Sequence, residues 1–326
     1  MVYNIALIGA GQLGSRHLQG LKKINLPVNI EVVDPNEESL LIAKERYKEI
    51  GDNENIKNIK FINSIENLNE NIDLCIIATN SNVRAFATYQ IIQKKKVKAI
   101  IFEKVLFQKI ADYELIKSLL RKNNIKAWIN CPRRLFPDYA EIKKHISKNE
   151  KLTFLLTGGN WGLGSNGIHF IDFLAYLNDN YDFKLSTSHL DKVVHDSKRM
   201  GFVEFTGTLQ GEQSNGSEII INARNGSTAP HIITIMGEKS IFIIDETNGD
   251  FKMSLLENNW KWENKKLKVF FQSDLTGDVT QEILLKGNCG LTSFDDSAKM
   301  HISYISSLLE FYNNSLKIST DTCPLT

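Results

Sequence analysis

Six residues near the start of the chain, 9–14, constrain its fold more than any other stretch. They read Gly-Ala-Gly-Gln-Leu-Gly, a G-x-G-x-x-G pattern that is weak when it stands alone. Here an apolar run at 3–8, which predicts a buried strand, precedes it, and a helical pattern at 15–21 follows it. A second apolar run at 28–33 ends at Asp34, 20 residues after the last glycine of the pattern. Strand, glycine turn, helix, strand and acid in this order are typical of a fold that binds a dinucleotide.

The three glycines have separate physical roles in such a turn. Gly9 is expected to permit the tight turn, Gly11 to let the backbone approach a pyrophosphate, and Gly14 to let the helix pack closely on the strand. The helix N-terminus at Gln12 and Leu13 then offers N–H groups and the positive end of the helix dipole to the phosphates. An ordinary strand–turn–helix with convenient glycines is the competing interpretation, and the agreement of strand, spacing and acid disfavours it.

Asp34 bears on which dinucleotide binds. A carboxylate at this position accepts hydrogen bonds from the ribose hydroxyls of NAD, and it repels the 2′-phosphate of NADP. The next four residues, 35–38, are Pro-Asn-Glu-Glu and provide no arginine or lysine for a phosphate. The sequence therefore predicts NAD as the cofactor, with NADP the less favoured dinucleotide.

The composition disfavours several other functions. The chain has 326 residues, enough for two domains, and its formal net charge of +1 leaves no basic footprint for nucleic acid. Its four cysteines are scattered without C-x-x-C spacing, so neither a metal site nor a disulfide framework is predicted. The sequence shows no charged-then-apolar leader and no long apolar segment. We therefore expect a cytoplasmic protein with no membrane partner.

The first third of the chain alternates strands with helices, which predicts a doubly wound, parallel α/β sheet over residues 1–128. Ligands of such sheets bind beyond the carboxyl ends of the strands. One predicted strand is followed by Thr79 and Asn80, and another is followed by Glu103 and Lys104. These four residues are therefore expected beside the cofactor.

Residues 129–326 have a different pattern, with strand-like runs that alternate apolar and polar residues. This alternation suits a large, mostly antiparallel sheet with one covered face, so the second domain is predicted to be α+β. We expect it to bind the substrate and to form a homodimer or homotetramer through the sheet face that no helix covers. A last helical pattern at about 294–312 is a candidate to pack back on the first domain.

Four motifs in order resemble those of the Gfo/Idh/MocA oxidoreductases, the glucose–fructose oxidoreductase and inositol dehydrogenase group. The glycine pattern is followed by Ser-Arg-His at 15–17, and Phe-Glu-Lys-Val at 102–105 is similar to the family's Glu-Lys-Pro. The stretch 130–137 is similar to the family's Arg-x-x-Pro entry into the second domain. Residues 166–172, Asn-Gly-Ile-His-Phe-Ile-Asp, resemble its Asp-x-Gly-x-His-x-x-Asp motif. Each motif is short, but their order extends the resemblance over nearly the whole chain.

The resemblance implies two catalytic residues. Lys104 matches a lysine that approaches the substrate hydroxyl, where an ammonium stabilises an oxygen that becomes more negative as hydride leaves the carbon. His169 matches the acid–base residue for that hydroxyl, and an imidazole suits proton transfer near neutral pH. The competing interpretations are a surface lysine paired with Glu103 and a histidine satisfied within the core.

Further residues are expected to contact a carbohydrate-like substrate. They lie in the matching motifs or in the glycine-rich loop before His169, which can close over a sugar ring, and they are Arg134, Asn160, Trp161, Ser165 and Asp172. Asp172 is expected to orient or cap rather than to react.

Two positions depart from the motifs of the family. Ser165 replaces the aspartate four residues before the histidine, and it is expected to cap the helix N-terminus instead. Val105 replaces the proline of Glu-Lys-Pro, and a cis bond at that point is rare without proline.

The sequence predicts an NAD-dependent oxidoreductase that moves a hydride between nicotinamide and a hydroxyl-bearing carbon of a sugar, cyclitol or nucleotide sugar. Ser165 and Val105 motivate a second hypothesis, a non-catalytic or regulatory dinucleotide-binding protein. A third is a sugar-modifying enzyme that recycles tightly bound NAD, so that no net NADH forms.

Overall fold

The computed structural model describes residues 1–326, which divide into two compact units. The first unit contains residues 1–107, 111–132 and 270–295. The second unit contains residues 108–110, 133–269 and 296–326. This division differs from the single boundary predicted after residue 128, because a segment late in the chain returns to the first unit.

The regular elements are numbered in chain order. The α-helices are α1 Gln12–Leu21, α2 Glu37–Lys48, α3 Ser81–Lys94, α4 Ile110–Lys122, α5 Pro137–Lys144, α6 Leu163–Asn178, α7 Gln272–Lys286 and α8 Phe294–Leu316. The strands are β1 Tyr3–Ile8, β2 Val28–Val33, β3 Ile56–Ile62, β4 Asn71–Ile72, β5 Leu74–Ile77, β6 Lys96–Val97, β7 Ala99–Phe102, β8 Lys126–Ile129, β9 Thr153–Gly159, β10 Phe183–Leu190, β11 His195–Asp196, β12 Val203–Glu204, β13 Gly207–Gln213, β14 Glu218–Arg224, β15 Ile232–Met236, β16 Ser240–Asp245, β17 Asp250–Leu255, β18 Trp262–Lys266 and β19 Thr292–Ser293. None of the helices combines the length and apolar character needed to cross a bilayer.

The first unit is a Rossmann fold. Its main sheet has the order β19-β8-β7-β5-β1-β2-β3, in which every pair is parallel except β19 with β8. The strands β5 and β7 are apolar throughout and fully buried, as expected for parallel strands covered on both faces. The chain proceeds outward from β1 in one direction and later from β5 in the other. A ligand site is therefore expected at the carboxyl ends of β1 and β5.

Helix α7 completes the first unit although it lies far along the chain. It buries Leu275, Val279 and Ile283, spaced four residues apart, and its Thr276 hydroxyl lies 2.9 Å from Nδ1 of His17 in α1. The sequence pattern did not predict this helix, because threonines and a glycine interrupt its apolar stripe. The strand β19, which follows it, covers the edge of β8.

The second unit contains an eight-stranded sheet in the order β10-β13-β14-β9-β15-β16-β17-β18. Only β14 and β9 pair in parallel, so the predicted mostly antiparallel sheet is confirmed. Aromatic rings join one face of this sheet to the helices. Phe173 of α6 stacks on Tyr139 of α5 at 4.3 Å and meets Phe154 of β9 edge-on at 6.0 Å.

Helix α8 groups with the second unit from residue 296 onward. The buried hydroxyl of Tyr304 donates to the carbonyls of Leu163 and Gly164, at the start of α6. Ser303 donates to the carbonyl of Phe183 at 2.8 Å. These bonds explain why residues 296–316 of this helix belong with the second unit. Its first two residues, Phe294 and Asp295, group with the first unit, where the ring of Phe294 contacts that of Phe102 at 5.8 Å.

The other face of the eight-stranded sheet carries a partly exposed row of side chains. Cross-strand register places Ile220, Leu155, Thr234 and Ile243 side by side on four adjacent strands. Met236 lies two residues after Thr234 in β15, on the same face of the sheet, and it is 50% exposed. We name these five residues the open face.

Candidate active site

The glycine turn after β1 has the geometry that its sequence predicts. Gly9 has a φ of +97°, which favours glycine, and a Cβ there would lie 2.8 Å from the backbone nitrogen of Thr79. A Cβ on Gly14 would lie 1.8 Å from the carbonyl oxygen of Gly9. At Gly11, in contrast, no atom lies within 4 Å of an added Cβ. The turn is therefore closed on its inner side and open where a phosphate would approach.

Asp34 lies directly beside this turn. Its Oδ2 accepts a hydrogen bond from the N–H of Ala10 at 2.7 Å, and its Oδ1 accepts one from the N–H of Asn36 at 2.9 Å. Asn36 in turn caps α2 by accepting from the N–H of Ser39 at 3.0 Å. Because a carboxylate has about four acceptor positions, Asp34 can still accept hydrogen bonds from a ribose. The aspartate thus holds the glycine turn in place as well as lying where the cofactor prediction needs it.

The groups around the turn fit a dinucleotide. Thr79 follows β5, and its buried Oγ1 has no hydrogen-bond partner in the chain, which is costly unless a ligand or water supplies one. Asn80 is exposed and occupies the N-cap position of α3. Gln12 and Leu13 form the first turn of α1, whose N-cap residue Gly11 has no side chain to compete for their N–H groups. All these residues lie at the carboxyl ends of β1 and β5.

Glu103 is buried at the end of β7 and holds the polypeptide there. Its Oε1 accepts from Nε2 of His17 at 2.9 Å and from Nδ2 of Asn130. Burial alone would raise the pKa of Glu103, but the bonds from His17 and Asn130 and the charge of Lys104 outweigh it and lower the pKa. The carboxylate is therefore charged, and its hydrogen bonds go to residues within the chain. Glu103 can then contact the cofactor only through its main-chain atoms.

Lys104 follows Glu103 and is partly exposed. The peptide bond between Lys104 and Val105 is cis. This corrects the expectation that a cis bond is absent here without the proline of the related motif. Lys104 belongs to the same unit as the glycine turn, Asp34 and Thr79.

Arg84 is a site residue that the sequence interpretation missed. It is buried in α3, and its guanidinium donates to the carbonyls of Thr79, Val105 and Leu106, the last at 3.1 Å. One side chain therefore joins the segment after β5 to the segment after Lys104. The available signal was its spacing with Ser81, Thr88 and Ile91 on one face of α3, because a buried arginine on such a face needs buried acceptors.

Glu204 is the second residue that was missed. Its carboxylate accepts from the N–H groups of Gly164 and Ser165, the latter at 3.2 Å, and from Oγ of Ser165 at 2.8 Å. Glu204 therefore caps the N-terminus of α6 from the strand β12. The expectation that Ser165 is the cap is wrong, because Gly162 is the N-cap residue and the Ser165 hydroxyl donates to Glu204 rather than accepting from the helix.

His169 lies in the second turn of α6, because the capped helix begins at Leu163. It is partly exposed and belongs to the second unit, whereas Lys104 belongs to the first. Trp161 lies at the same end of α6 and donates from Nε1 to the carbonyl of Asn222 at 2.9 Å.

Two of the residues suggested as substrate contacts form an ion pair with each other. Nε of Arg134 lies 3.0 Å from Oδ2 of Asp172, and Nη2 lies 3.3 Å from Oδ1. The side chain of Asp172 is 0% exposed. This geometry favours a structural role that ties α6 to the segment before α5. Asn160, by contrast, is exposed in the glycine-rich loop, with a φ of +41°.

The N-terminal part of the chain matches a known protein family. Residues 3–131 match the Gfo/Idh/MocA family, described as an oxidoreductase family with an NAD-binding Rossmann fold. Within the first unit, these residues therefore match the NAD-binding domain of that family. A comparison with curated protein sequences gives no significant match.

Three solved structures resemble the fold of this chain over nearly its whole length. The UDP-N-acetylglucosamine 3-dehydrogenase GnnA from Acidithiobacillus ferrooxidans is 13% identical, with a TM-score of 0.72 over 94% of this chain and 97% of that one. An oxidoreductase from Agrobacterium radiobacter, in complex with NAD+, L-tartaric acid and magnesium, is 15% identical, with a TM-score of 0.73 over 96% of each chain. A super-repressor mutant of Gal80p from Saccharomyces cerevisiae is 14% identical, with a TM-score of 0.73 over 97% and 96%. At these identities the likeness establishes the shared fold.

Proposed function

We propose that this chain is an NAD-dependent oxidoreductase that transfers a hydride between nicotinamide and a hydroxyl-bearing carbon of a sugar, cyclitol or nucleotide sugar. The observation that carries the proposal is Lys104, a cation at the carboxyl end of β7 in the unit that holds the glycine turn. The family match supports it. The activity of GnnA, a UDP-N-acetylglucosamine 3-dehydrogenase of the same fold, supports the choice of substrate class.

NAD is favoured over NADP because the groups beside Asp34 are acidic. The first turn of α2 carries Glu37 and Glu38, and no basic residue lies between Asp34 and that turn. A 2′-phosphate in this region would meet several carboxylates and no counter-charge.

Lys104 is proposed to stabilise the reacting oxygen. When bound, the nicotinamide supplies the hydride acceptor or donor. As a hydroxyl is oxidised, its oxygen gains negative charge, and the ammonium of Lys104 offers a fixed positive partner. The buried Glu103 and the Arg84 guanidinium hold the main chain on either side of Lys104, so little reorganisation is needed during the reaction.

His169 is proposed to carry the hydroxyl proton. An imidazole can accept that proton during oxidation and return it during reduction, close to neutral pH. Glu204 caps the N-terminus of α6, and the Arg134–Asp172 ion pair holds the helix against the segment before α5. These contacts restrict the motion of the second turn, which carries His169.

The test combines a substrate panel with two variants. The purified protein is incubated with NAD and with sugars, cyclitols and nucleotide sugars, and both NADH absorbance and products are followed, so that internal recycling of NAD is also detected. Lys104→Ala should lower turnover by about 10²–10³-fold. His169→Ala should lower it by about 10²–10⁴-fold. NAD affinity should change only modestly in both variants.

Exposed residues of the same type serve as controls. Lys57→Ala and His189→Ala should leave turnover unchanged, since both side chains are exposed and neither is part of the proposed machinery. Full activity of His169→Ala would remove this residue from the mechanism.

A regulatory dinucleotide-binding protein is the second candidate, and the fold shared with a super-repressor mutant of Gal80p favours it. It predicts that NAD binds while no compound of the panel is converted. Turnover of any panel compound that depends on Lys104 would exclude it.

A further inference from the structure

A cluster of polar side chains surrounds Glu246, the residue that follows β16 in the second unit. The carboxylate is nearly buried and accepts four hydrogen bonds. Arg133 donates two of them, from Nε at 2.8 Å and from Nη2 at 2.7 Å, and the hydroxyl of Tyr139 donates the third. Nε2 of His231 lies 3.0 Å from Oε2 and makes the fourth. Burial alone would raise the pKa of Glu246, but Arg133, His231 and Tyr139 together lower it far below its ordinary range.

The charged carboxylate fixes the state of the His231 ring. Because an ionised carboxylate only accepts hydrogen bonds, Nε2 must carry the hydrogen, and Nδ1 of the neutral ring is then an acceptor. Nδ1 makes no hydrogen bond within the chain, and the side chain is 21% exposed. In its neutral form the His231 ring is therefore an oriented acceptor, and the hydrogen-bond partner of Nδ1 has to come from outside the chain.

The surroundings of this acceptor are aromatic. The His231 ring meets the ring of Phe170 edge-on at 5.8 Å, and Phe170 meets Trp161 at 5.4 Å. The guanidinium of Arg133 lies 4.3 Å from the centre of the Phe170 ring. Phe170 directly follows His169 in α6, and Trp161 belongs to the loop that leads into that helix. Phe170 is buried and supports the His231 ring from inside, whereas Trp161 is partly exposed. A partly exposed aromatic side chain near fixed polar groups is typical of small-molecule sites.

We infer that His231 is a substrate-binding residue, and that its Nδ1 accepts a hydrogen bond from a hydroxyl group of a polyhydroxylated substrate. Glu246 and Arg133 act as positioning residues that hold the ring in the required tautomer. This inference rests on the proposed function for the substrate class, and it adds a recognition group that acts on a hydroxyl other than the reacting one.

The first test needs no substrate. A ¹⁵N–¹H correlation spectrum of the histidine rings, recorded at a pH where the His231 ring is neutral, should show its proton at Nε2 and not at Nδ1. In Glu246→Gln an amide can offer a donor to Nε2, so the ring should lose this tautomer preference. A wild-type ring protonated at Nδ1 would overturn the inference.

The second test measures saccharide binding to the NAD-saturated protein by calorimetry, so that it does not depend on turnover. His231→Phe keeps an aromatic ring against Phe170 and should weaken binding of the best compound by about 5- to 20-fold, the loss of one hydrogen bond. Turnover at saturating substrate should change less than KM. His189→Phe, at an exposed position of β10, is the matched control and should bind like wild type.

Monodeoxy analogues of the same compound identify the bonded hydroxyl. One analogue should bind wild type more weakly but bind His231→Phe as well as the parent does, because the hydrogen bond is already absent. Equal binding of the parent by wild type and His231→Phe, in a variant with unchanged unfolding, would overturn the inference. If His231→Phe weakens binding while wild type produces no NADH or product, the inference stands and the proposed oxidoreductase fails. If no compound binds to wild type, the inference is overturned.

Discussion

Replacing Ser165 by aspartate should destabilise the second unit at neutral pH. The Oγ of Ser165 lies 2.8 Å from Oε2 of Glu204 and donates a hydrogen bond to it. An aspartate at this position removes the donor and brings a second carboxylate against the first. The related motif of the family has aspartate here, so the expected result runs against what the resemblance alone suggests.

The size of the effect can be worked out from this geometry. Two unit charges about 4 Å apart repel by about 4 kcal/mol at an effective dielectric constant near 20. The lost hydrogen bond to a charged acceptor adds about 1.5–3 kcal/mol. An extra negative charge at a helix N-terminus stabilises the fold by about 0.3–1 kcal/mol, which offsets part of this loss. Because Ser165 is partly exposed, the new side chain can turn away from Glu204 and avoid much of the repulsion. We expect a net loss of about 2–4 kcal/mol, which is large for a single mutation.

Urea unfolding at pH 7 of four variants tests this expectation. Ser165→Asn has nearly the same shape as aspartate without its charge, so it should cost much less. Glu204→Gln removes the first carboxylate, and the double variant Ser165→Asp/Glu204→Gln should recover most of the loss, since only one carboxylate then remains. At pH 4 the gap between Ser165→Asp and Ser165→Asn should shrink, because one carboxyl of a close pair takes up a proton.

Equal stability of Ser165→Asp and Ser165→Asn at pH 7 would refute the reasoning. So would a double variant no more stable than Ser165→Asp. Activity gives a further check: Ser165→Asp should not raise turnover above wild type, because Glu204 already supplies a carboxylate to this turn of α6.

The cofactor, the glycine turn, acid stability and assembly give four more expectations. Asp34→Asn should narrow the difference between the dissociation constants of NAD and NADP in calorimetry, and equal wild-type affinities would contradict the role of Asp34. Gly14→Ala should lower the unfolding free energy by about 1–3 kcal/mol, because the added Cβ overlaps backbone, whereas Gly11→Ala should leave stability nearly unchanged and weaken NAD binding. The pKa of Glu103 in the folded protein is lowered from its ordinary value of 4.5. Its carboxylate therefore stabilises the fold above pH 4.5, and this stabilisation is lost as the pH falls through the folded pKa. In acid titrations, Glu103→Gln should lose less unfolding free energy than wild type. The open face should pair with a second copy of the chain, and light scattering that shows a monomer at micromolar concentration would reject this.

The parts of the site that follow from local sequence were predictable. The glycine turn depends on backbone conformation and on spacing within one strand–turn–helix, so its closed and open sides follow from residues 9–14. The positions of Asp34, Thr79 and Lys104 follow from strand ends in a parallel sheet, which alternation of elements already indicates.

Contacts between distant segments were not predictable in the same way. Glu204 lies 39 positions after Ser165 in the chain. The local sequence around either residue therefore does not predict their contact. Arg84 was missed for the same reason, because its acceptors are main-chain carbonyls, which every residue has. The edge strands β10 and β18 carry mostly polar side chains, so they lack the apolar alternation on which strand prediction depends.

The first unit is interrupted in sequence, and this has a consequence for its biosynthesis. The segment that contains α7 and β19 leaves the ribosome only after the 137 residues from Arg133 to Val269 have been made. At about 5–20 residues per second, translation of that insert takes roughly 7–27 s. During this interval the α1 surface that later receives α7, and the β8 edge that later pairs with β19, stay uncovered on the nascent chain. The stretch that matches the family, 3–131, therefore ends long before the unit it belongs to can close, and these two surfaces are where a chaperone would be expected to bind the growing polypeptide.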